Sequence, residues 1–212
     1  MTQDRYYYEP ANGHGLPHNP FNAIVGPRPI GWISTRAADG RSNLAPYSYF
    51  NAVCHQPPMV LFSSMGRKDT LRNVEETGEF GWNLASRPLA ERMNLSSAAA
   101  PPEVSEFELA GLTEAPARLI RAPLVAGSPV SFECRRTDVF RLRDSHGRDA
   151  ENWLVIGEVV AVHIAHEFLI DGIYNTAAAQ PILRGGGTAD YFAITPDDWF
   201  QMRRPSYPPA RE

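Results

Sequence analysis

The chain has 212 residues, 43% of them apolar, and a formal charge of −4. That is enough apolar material for one large β-rich unit or two small ones, and so mild a charge gives no ground for a nucleic-acid or anionic-membrane partner. No apolar run reaches the roughly 20 residues that a membrane helix needs, and no cationic-then-apolar leader opens the chain, so a cytoplasmic protein is expected.

Two cysteines, Cys54 and Cys134, are too few for a disulfide framework. Each lies in an apolar, strand-like context, and both are expected as buried thiols. Nineteen prolines fall between the periodic runs and in the tail, as in a β-rich fold with long connections, because proline cannot donate to a sheet ladder.

In chain order, residues 1–27 carry little periodicity and are read as an extended arm closing over the body. His14 and His18 have a chelating spacing only on a helix, which Gly15 and Pro17 forbid, so they are read as surface loop residues. Residues 30–34 are predicted as the first core strand, and the turn at Ala38-Asp39-Gly40 leads into the second. In SNLAPYSYFNAV, residues 42–53, alternation places Asn43, Ala45, Tyr47 and Tyr49 on one face and Leu44, Pro46, Ser48 and Phe50 on the other. Pro46 marks an edge or a bulge. There, free backbone groups can meet a ligand, or the proline simply protects the edge from pairing.

Residues 59–63 form a third predicted strand, ending in Ser63 and Ser64. The basic turn GRKDTLRN, residues 66–73, then opens a helix, with Asp69 as its cap, Leu71 and Val74 on one face and Gly78 at its end. A meander would make Ser34, Thr35, Ser63 and Ser64 neighbours at strand ends, with Arg67, Lys68 and Thr70 close by. Hydroxyls, the unpaired amides of a helix start and two cations suit a phosphate, and a Tyr/Phe-rich polar strand beside them suits a flat aromatic ring. Alone, RKDT reads as a capped surface helix with solvated cations; the combination favours phosphate.

Residues 80–84 return as a strand, with Asn83 directed towards the same site. Residues 86–124 form an excursion with helices at 89–95 and 105–110 and a flexible link at 98–102. In the next strand Val130, Phe132 and Cys134 are predicted inward and Ser131, Glu133 and Arg135 outward. A polar hairpin loop at 144–152 leads to a long strand, 153–164, apolar on both faces. His163 and His166 lie three apart and point to opposite sides, so no shared metal is expected. Residues 174–183 are a loop or short helix. Arg184-Gly185-Gly186-Gly187 lacks the strand-GxGxxG-helix context of a dinucleotide fold and is read as a close passage of backbone. The tail, 203–212, is Pro-rich and loose. The serine nucleophile elbow, zinc spacings and GxxxxGK[ST] loop are absent, and no carboxylate pair stands out for acid–base work.

The order and spacing of RPIGWIST, SNLAPYSYFNAV, GRKDTLRNVEETGEFGWNL, ERMNLSS, EFELAGLT, GEVVAVHI and PILRGGG, from about residue 28 to 191, resemble the flavin reductase-like family of FMN-binding split barrels. The resemblance implies a mainly β fold with α, a single domain over 1–212 built as a six-stranded antiparallel split barrel with peripheral helices. The excursion would lie outside the barrel, its Leu89, Met93, Phe107 and Leu109 covering the barrel or meeting a second subunit. It assigns Arg67, Lys68 and Thr70, with Ser34, Thr35 and Ser63, to an FMN phosphate, and Asn43, Ala45, Pro46, Ser48, Tyr49 and Phe50 to the ring and its edge; Asp69 is carried as a motif member acting on the helix start. It places His163 near the flavin, where a satisfied structural histidine is an equal reading, and Tyr191 near the flavin or a dimer contact. The implied activity is hydride transfer from NADH or NADPH to FMN in a homodimer, with electrons passed to free flavin, an oxygenase or a metal complex. An FMN-binding electron carrier without NAD(P)H turnover and a cofactor-free interaction protein are the alternatives. Hydride transfer needs stacking rather than an acid or base, so no catalytic residue is assigned.

Overall fold

A computed structural model describes residues 4–101, 104–205 and 207. In chain order come α1 Phe21–Ile24, β1 Arg28–Pro29, β2 Gly31–Arg36, β3 Ser42–Tyr47, β4 Phe50–His55, β5 Pro58–Met65, α2 Asp69–Thr77 and β6 Glu79–Asn83. Then follow α3 Ala90–Leu95, α4 Glu106–Leu109, β7 Glu114–Ala115, β8 Leu124–Val125, β9 Val130–Arg143, β10 Asp149–Ile164, β11 Leu169–Ile170, β12 Ile173–Tyr174, β13 Ile182–Arg184 and β14 Tyr191–Ala193. Among the described residues no helix is long and apolar enough to cross a membrane. The tail read as loose lies largely outside the described residues, as does Pro102 of the link.

The main sheet is antiparallel and has seven strands, in the order β3-β2-β6-β9-β10-β5-β4, where six were expected. The extra strand arises because residues 42–53 are not one strand. The chain bends at Ser48 and Tyr49, so that β3 forms one edge of the sheet and β4 the other. The bend also breaks the predicted alternation: Phe50 joins Tyr47 in the same core instead of facing away from it.

That core fills the barrel. Ile33, Tyr47, Phe50, Phe62, Phe80, Trp82, Cys134 and Val155 pack together, and α2 lays Leu71 and Val74 against them. Phe50 stacks on Trp82 with ring centroids 5.5 Å apart. A second core lies on the outer face. There Trp32 and Leu44 meet Met93, Phe107 and Leu112 of the 86–124 excursion, so that segment covers the barrel. Period-two alternation explains the division, since neighbours Trp32 and Ile33 are both fully buried yet belong to different cores. The Trp32 indole N–H, carried into this layer, donates to Ser96 Oγ at 2.9 Å.

Arg28 fixes the bend. Its buried guanidinium donates to three backbone carbonyls, from Ser48 at 3.1 Å, Gly185 at 3.1 Å and Asn22. It also sits 5.6 Å from the Tyr49 ring centroid, while the Tyr49 hydroxyl donates to Asn22 Oδ1. The arm, the bend and the glycine run thus share one hub. Gly186 is required there, because a Cβ at this position would fall 2.3 Å from Ala23 Cα. The predicted close passage of backbone is what the triple glycine provides.

Three expectations fail. Cys54 is exposed, because β4 is a bare edge strand; Cys134 is buried, and burial pushes its thiol well up. Residues 144–152 do not form one loop, since β10 begins at Asp149 and pairs with Arg143. Glu133, read as facing solvent, has no exposure. The outer face of β9 is covered by residues 118–122, whose backbone needs an acceptor. Glu133 accepts from Arg118 N at 2.8 Å, Leu119 N at 2.6 Å and Ile120 N at 3.1 Å, and lies 2.6 Å from His163 Nε2. Burial pushes this carboxyl up, but the Arg118 and Leu119 amides and His163 outweigh that and hold it below the usual carboxylate value. His163 is therefore a structural partner of Glu133.

Because the folded state holds Glu133 low, its contribution is present above the unfolded carboxylate value, about 4.3, and is lost as pH falls through the folded value. Glu133→Gln should cost about 2 kcal/mol or more at pH 7, with the deficit shrinking below about pH 4; paired denaturant titrations across pH check this. Arg28→Lys should also destabilise, by about 2 kcal/mol or more, because an ammonium cannot reproduce the forked donor geometry. A melt indistinguishable from the parent's would remove Arg28 from its role as hub.

Candidate functional site

The edge strand β3, the first turn of α2 and the segment after α3 enclose a cleft of about 320 Å³, lined by Asn43, Ala45, Pro46, Tyr47, Lys68, Asp69, Thr70, Glu106 and residues 96–100. Larger hollows lie elsewhere, between α3 and β14, beside β12, and at the end of β5 by Arg67 and Trp153, so size alone does not select this one. Its chemistry does.

The start of α2 is open. Lys68 occupies the N-cap position without any side-chain cap, and Asp69 is the first helical residue, paired with Arg72 rather than capping the helix. This corrects the expectation for Asp69, whose carboxylate is drawn along the helix by the guanidinium three residues on. The amides of the first turn therefore lack a side-chain acceptor, and they face a site that favours an anion. The Lys68 ammonium is exposed and, among the described residues, has no carboxylate partner.

Beneath the helix start lies a buried polar layer. Asn43 Nδ2 donates to Thr70 Oγ1 at 2.8 Å, and Asn73 Nδ2 donates to Thr35 Oγ1 at 3.0 Å. Thr35, Asn43, Thr70 and Asn73 are all buried. They set the height and angle of the first turn of α2 against the barrel. The Tyr47 hydroxyl is buried beside those of Thr70 and Ser64 without a hydrogen bond of good geometry. Burial pushes this phenol up, keeping it a neutral donor on the cleft wall. A buried donor lacking a good partner is costly, and a ligand oxygen in the cleft would relieve it.

Two carboxylates oppose an anion here. Asp69 lies at the rim. Glu106, on α4, accepts the edge amide of Leu44 at 3.1 Å. Burial pushes the Glu106 carboxyl up, and the Asp69 charge adds to that, against the Leu44 amide.

Of the residues predicted for the site, Asn43, Ala45, Pro46, Lys68, Asp69 and Thr70 line the cleft together, and Thr35 lies in the layer under it. The others are elsewhere. Ser34 Oγ accepts from Asn83 Nδ2 at 3.2 Å on the outer face of β2. Ser63 Oγ accepts from Asn152 Nδ2 at 3.0 Å. Ser34 and Ser63 are not strand neighbours, because β6, β9 and β10 separate β2 from β5 in the sheet. Ser48 and Tyr49 belong to the bend held by Arg28, and Phe50 is in the barrel core. Arg67 turns from the cleft to pair with Glu75 and lie 5.0 Å from the Trp153 ring centroid. Asn83 does not reach the cleft either: its Oδ1 accepts from Val125 N and Ser131 Oγ. Tyr47, Glu106 and residues 96–100 were not foreseen. Tyr47 was legible as the cleft-side neighbour of Asn43 and Ala45 in the alternation, whereas Glu106 arrives through a long-range crossover that leaves no local signal. Among the described residues no group of acidic, cysteine or histidine side chains is arranged for a metal.

These residues fit FMN. An uncapped helix start, Lys68 and Thr70 would hold its phosphate, the Tyr47 and Asn43 groups its polyol oxygens, and the β3 edge at Ala45 and Pro46 its ring.

An uncharacterized protein from Aquifex aeolicus is 37% identical over 170 residues, covering 77% of this chain and 83% of its own. The crystal structure of nitrilotriacetate monooxygenase component B from Bacillus cereus superposes with a TM-score of 0.79 at 30% identity, over 88% of this chain and 98% of that one. The 2-nitrobenzoate 2-nitroreductase NbaA of Pseudomonas fluorescens gives a TM-score of 0.76 at 28% identity, over 91% and 92%. Residues 26–179 match the model of the flavin reductase like domain, and the chain, with its split barrel, belongs to that family.

Proposed function

We infer that this protein is an NAD(P)H-dependent FMN oxidoreductase that passes electrons onward to a second acceptor. The observation that carries the reading is the uncapped start of α2, with Lys68, over a buried Asn43–Thr70 support and beside the Tyr47 hydroxyl. That set of donors suits a phosphomonoester followed by a polyol. When bound there, FMN supplies the capacity to accept a hydride and to release electrons singly or in pairs. The chain's own work is binding and orientation. Lys68 and the first-turn amides neutralise the phosphate, Asn43 holds the Thr70 hydroxyl in place, and Pro46 keeps the β3 edge from pairing with another strand, so its backbone remains available to a ring. A cytoplasmic setting, where pyridine nucleotides are at hand, goes with this reading.

A homodimer is part of the same proposal. The cleft is at the small end of ligand cavities, roughly 300–1,000 Å³, and encloses a tail more readily than three fused rings, so a second copy has room to complete it. The opposite edge strand supports this. Asn51–His55 of β4 is wholly exposed and carries the apolar Val53. A long bare edge needs a cover.

Purified protein should show flavin absorbance, or take up added FMN, and should then consume NADH or NADPH. Colourless protein that also refuses FMN would overturn the reading. The double variant Lys68→Ala, Thr70→Ala should fold and lose FMN affinity by a factor of ten or more, from about 1.5–3 kcal/mol per charge-assisted contact; fluorescence titration measures it. Sedimentation should give twice the chain mass, and a monomer at micromolar concentration would remove the dimer from the proposal.

A further inference from the structure

We propose that the hollow between α3 and β14 holds the adenosine diphosphate half of the pyridine nucleotide, and that Glu91 makes NADH the preferred form. The proposal rests on the FMN reading above. The hollow measures about 460 Å³, larger than the cleft itself. One wall carries Arg87, Glu91 and Asn94, spaced so that Arg87 and Glu91 lie four residues apart on one side of the helical segment. The facing wall carries Tyr191 and Phe192, both substantially exposed. Arg184 stacks 5.0 Å from the Tyr191 ring centroid and fixes that ring in place.

Each group answers one part of the ligand. Consecutive residues of a strand point to opposite faces, so one exposed aromatic ring of this pair suits the face of a purine. The Arg87 guanidinium and the Glu91 carboxylate form no ion pair or hydrogen bond with any other described residue, so both are available. A guanidinium suits a pyrophosphate. A carboxylate accepts from ribose hydroxyls and repels a phosphate in their place, which is how carboxylates separate the two nucleotides elsewhere. The placement also fits. The same segment that lines this hollow up to Asn94 runs directly into Ser96 and Ser97, which line the FMN cleft. Seven residues separate Ala90 from Ser97, on the order of 10 Å at helical rise, a span that a pyrophosphate with its two riboses bridges. The absence of a glycine fingerprint is then no obstacle, since an arginine side chain replaces the helix-start amides that such a fingerprint supplies.

The test uses the FMN-loaded protein and ADP-ribose as probe, followed by calorimetry, so it does not depend on turnover. ADP-ribose should bind the parent, and Arg87→Ala should weaken it about tenfold or more while FMN affinity stays unchanged. In steady-state assays ADP-ribose should compete with NADH, and Glu91→Lys should lower the NADH-over-NADPH ratio of kcat/KM by about tenfold or more. Binding of ADP-ribose unaffected by Arg87→Ala, or no binding at all, would overturn the proposal. So would a nucleotide ratio that Glu91→Lys leaves in place. Failure of the FMN reading looks different: FMN is not retained, or FMN-loaded protein consumes neither nucleotide.

Discussion

A single buried guanidinium decides how the barrel is split. Arg28 has no carboxylate among its partners; it is satisfied by three main-chain carbonyls and the face of Tyr49. Such an arrangement uses the fixed fork of arginine, because three acceptors from three distant segments must lie in one plane around it. Its consequence is topological. The bend at Ser48 and Tyr49 carries the chain from one edge of a seven-stranded sheet to the other, so the sheet curls without pairing its edges. One edge, β3, is left beside α2 and becomes a wall of the cleft. The other, β4, is left bare. The cleft and the exposed edge are thus two results of one bend.

What could be read in the sequence was what local periodicity encodes. The division of Trp32 and Ile33 between two cores, the helix ending at Gly78 with φ 73°, and the turn at Gly40 all follow from short-range rules. Half of the site was legible for the same reason: Lys68, Asp69 and Thr70 are contiguous, and Asn43, Ala45 and Pro46 share a strand. The rest depended on long-range register. Ser34 and Ser63 look alike as strand-end hydroxyls, but the sheet order puts three strands between theirs. Arg67 and Lys68 look like a pair of cations, but a turn sends neighbours in different directions, and Glu75 with Trp153 captures the first. Glu133 was misread because alternation marks which face a side chain takes, not what later covers that face.

The buried polar residues fall into two sets with different work. Glu133, with His163 and the amides of residues 118–120, is saturated, and a saturated network rigidifies what it joins. It ties the returning end of the 86–124 excursion to β9. The set under α2 is not saturated: Asn73 Oδ1 has no partner, and the Tyr47 hydroxyl has none of good geometry. Of these, the Tyr47 hydroxyl lines the cleft beside the open helix start, where a ligand oxygen would complete it; Asn73 lies outside the cleft lining.

The cleft's charge balance sharpens what such a ligand must be. Asp69 is paired with Arg72, but Glu106 stands across the cleft from Lys68, so the preference for an anion is confined to the helix start. Attraction resides in direction: amides of the first turn point one way along the α2 axis, while the Tyr47 hydroxyl and the Asn43–Thr70 pair form the wall beside them. A ligand with an anionic end and a chain of hydroxyls can address both groups at once and keep its charge away from Glu106. On the FMN reading proposed above, Glu106 suits a phosphorylated polyol better than a bare anion, because hydroxyls rather than charge would meet that side of the cleft.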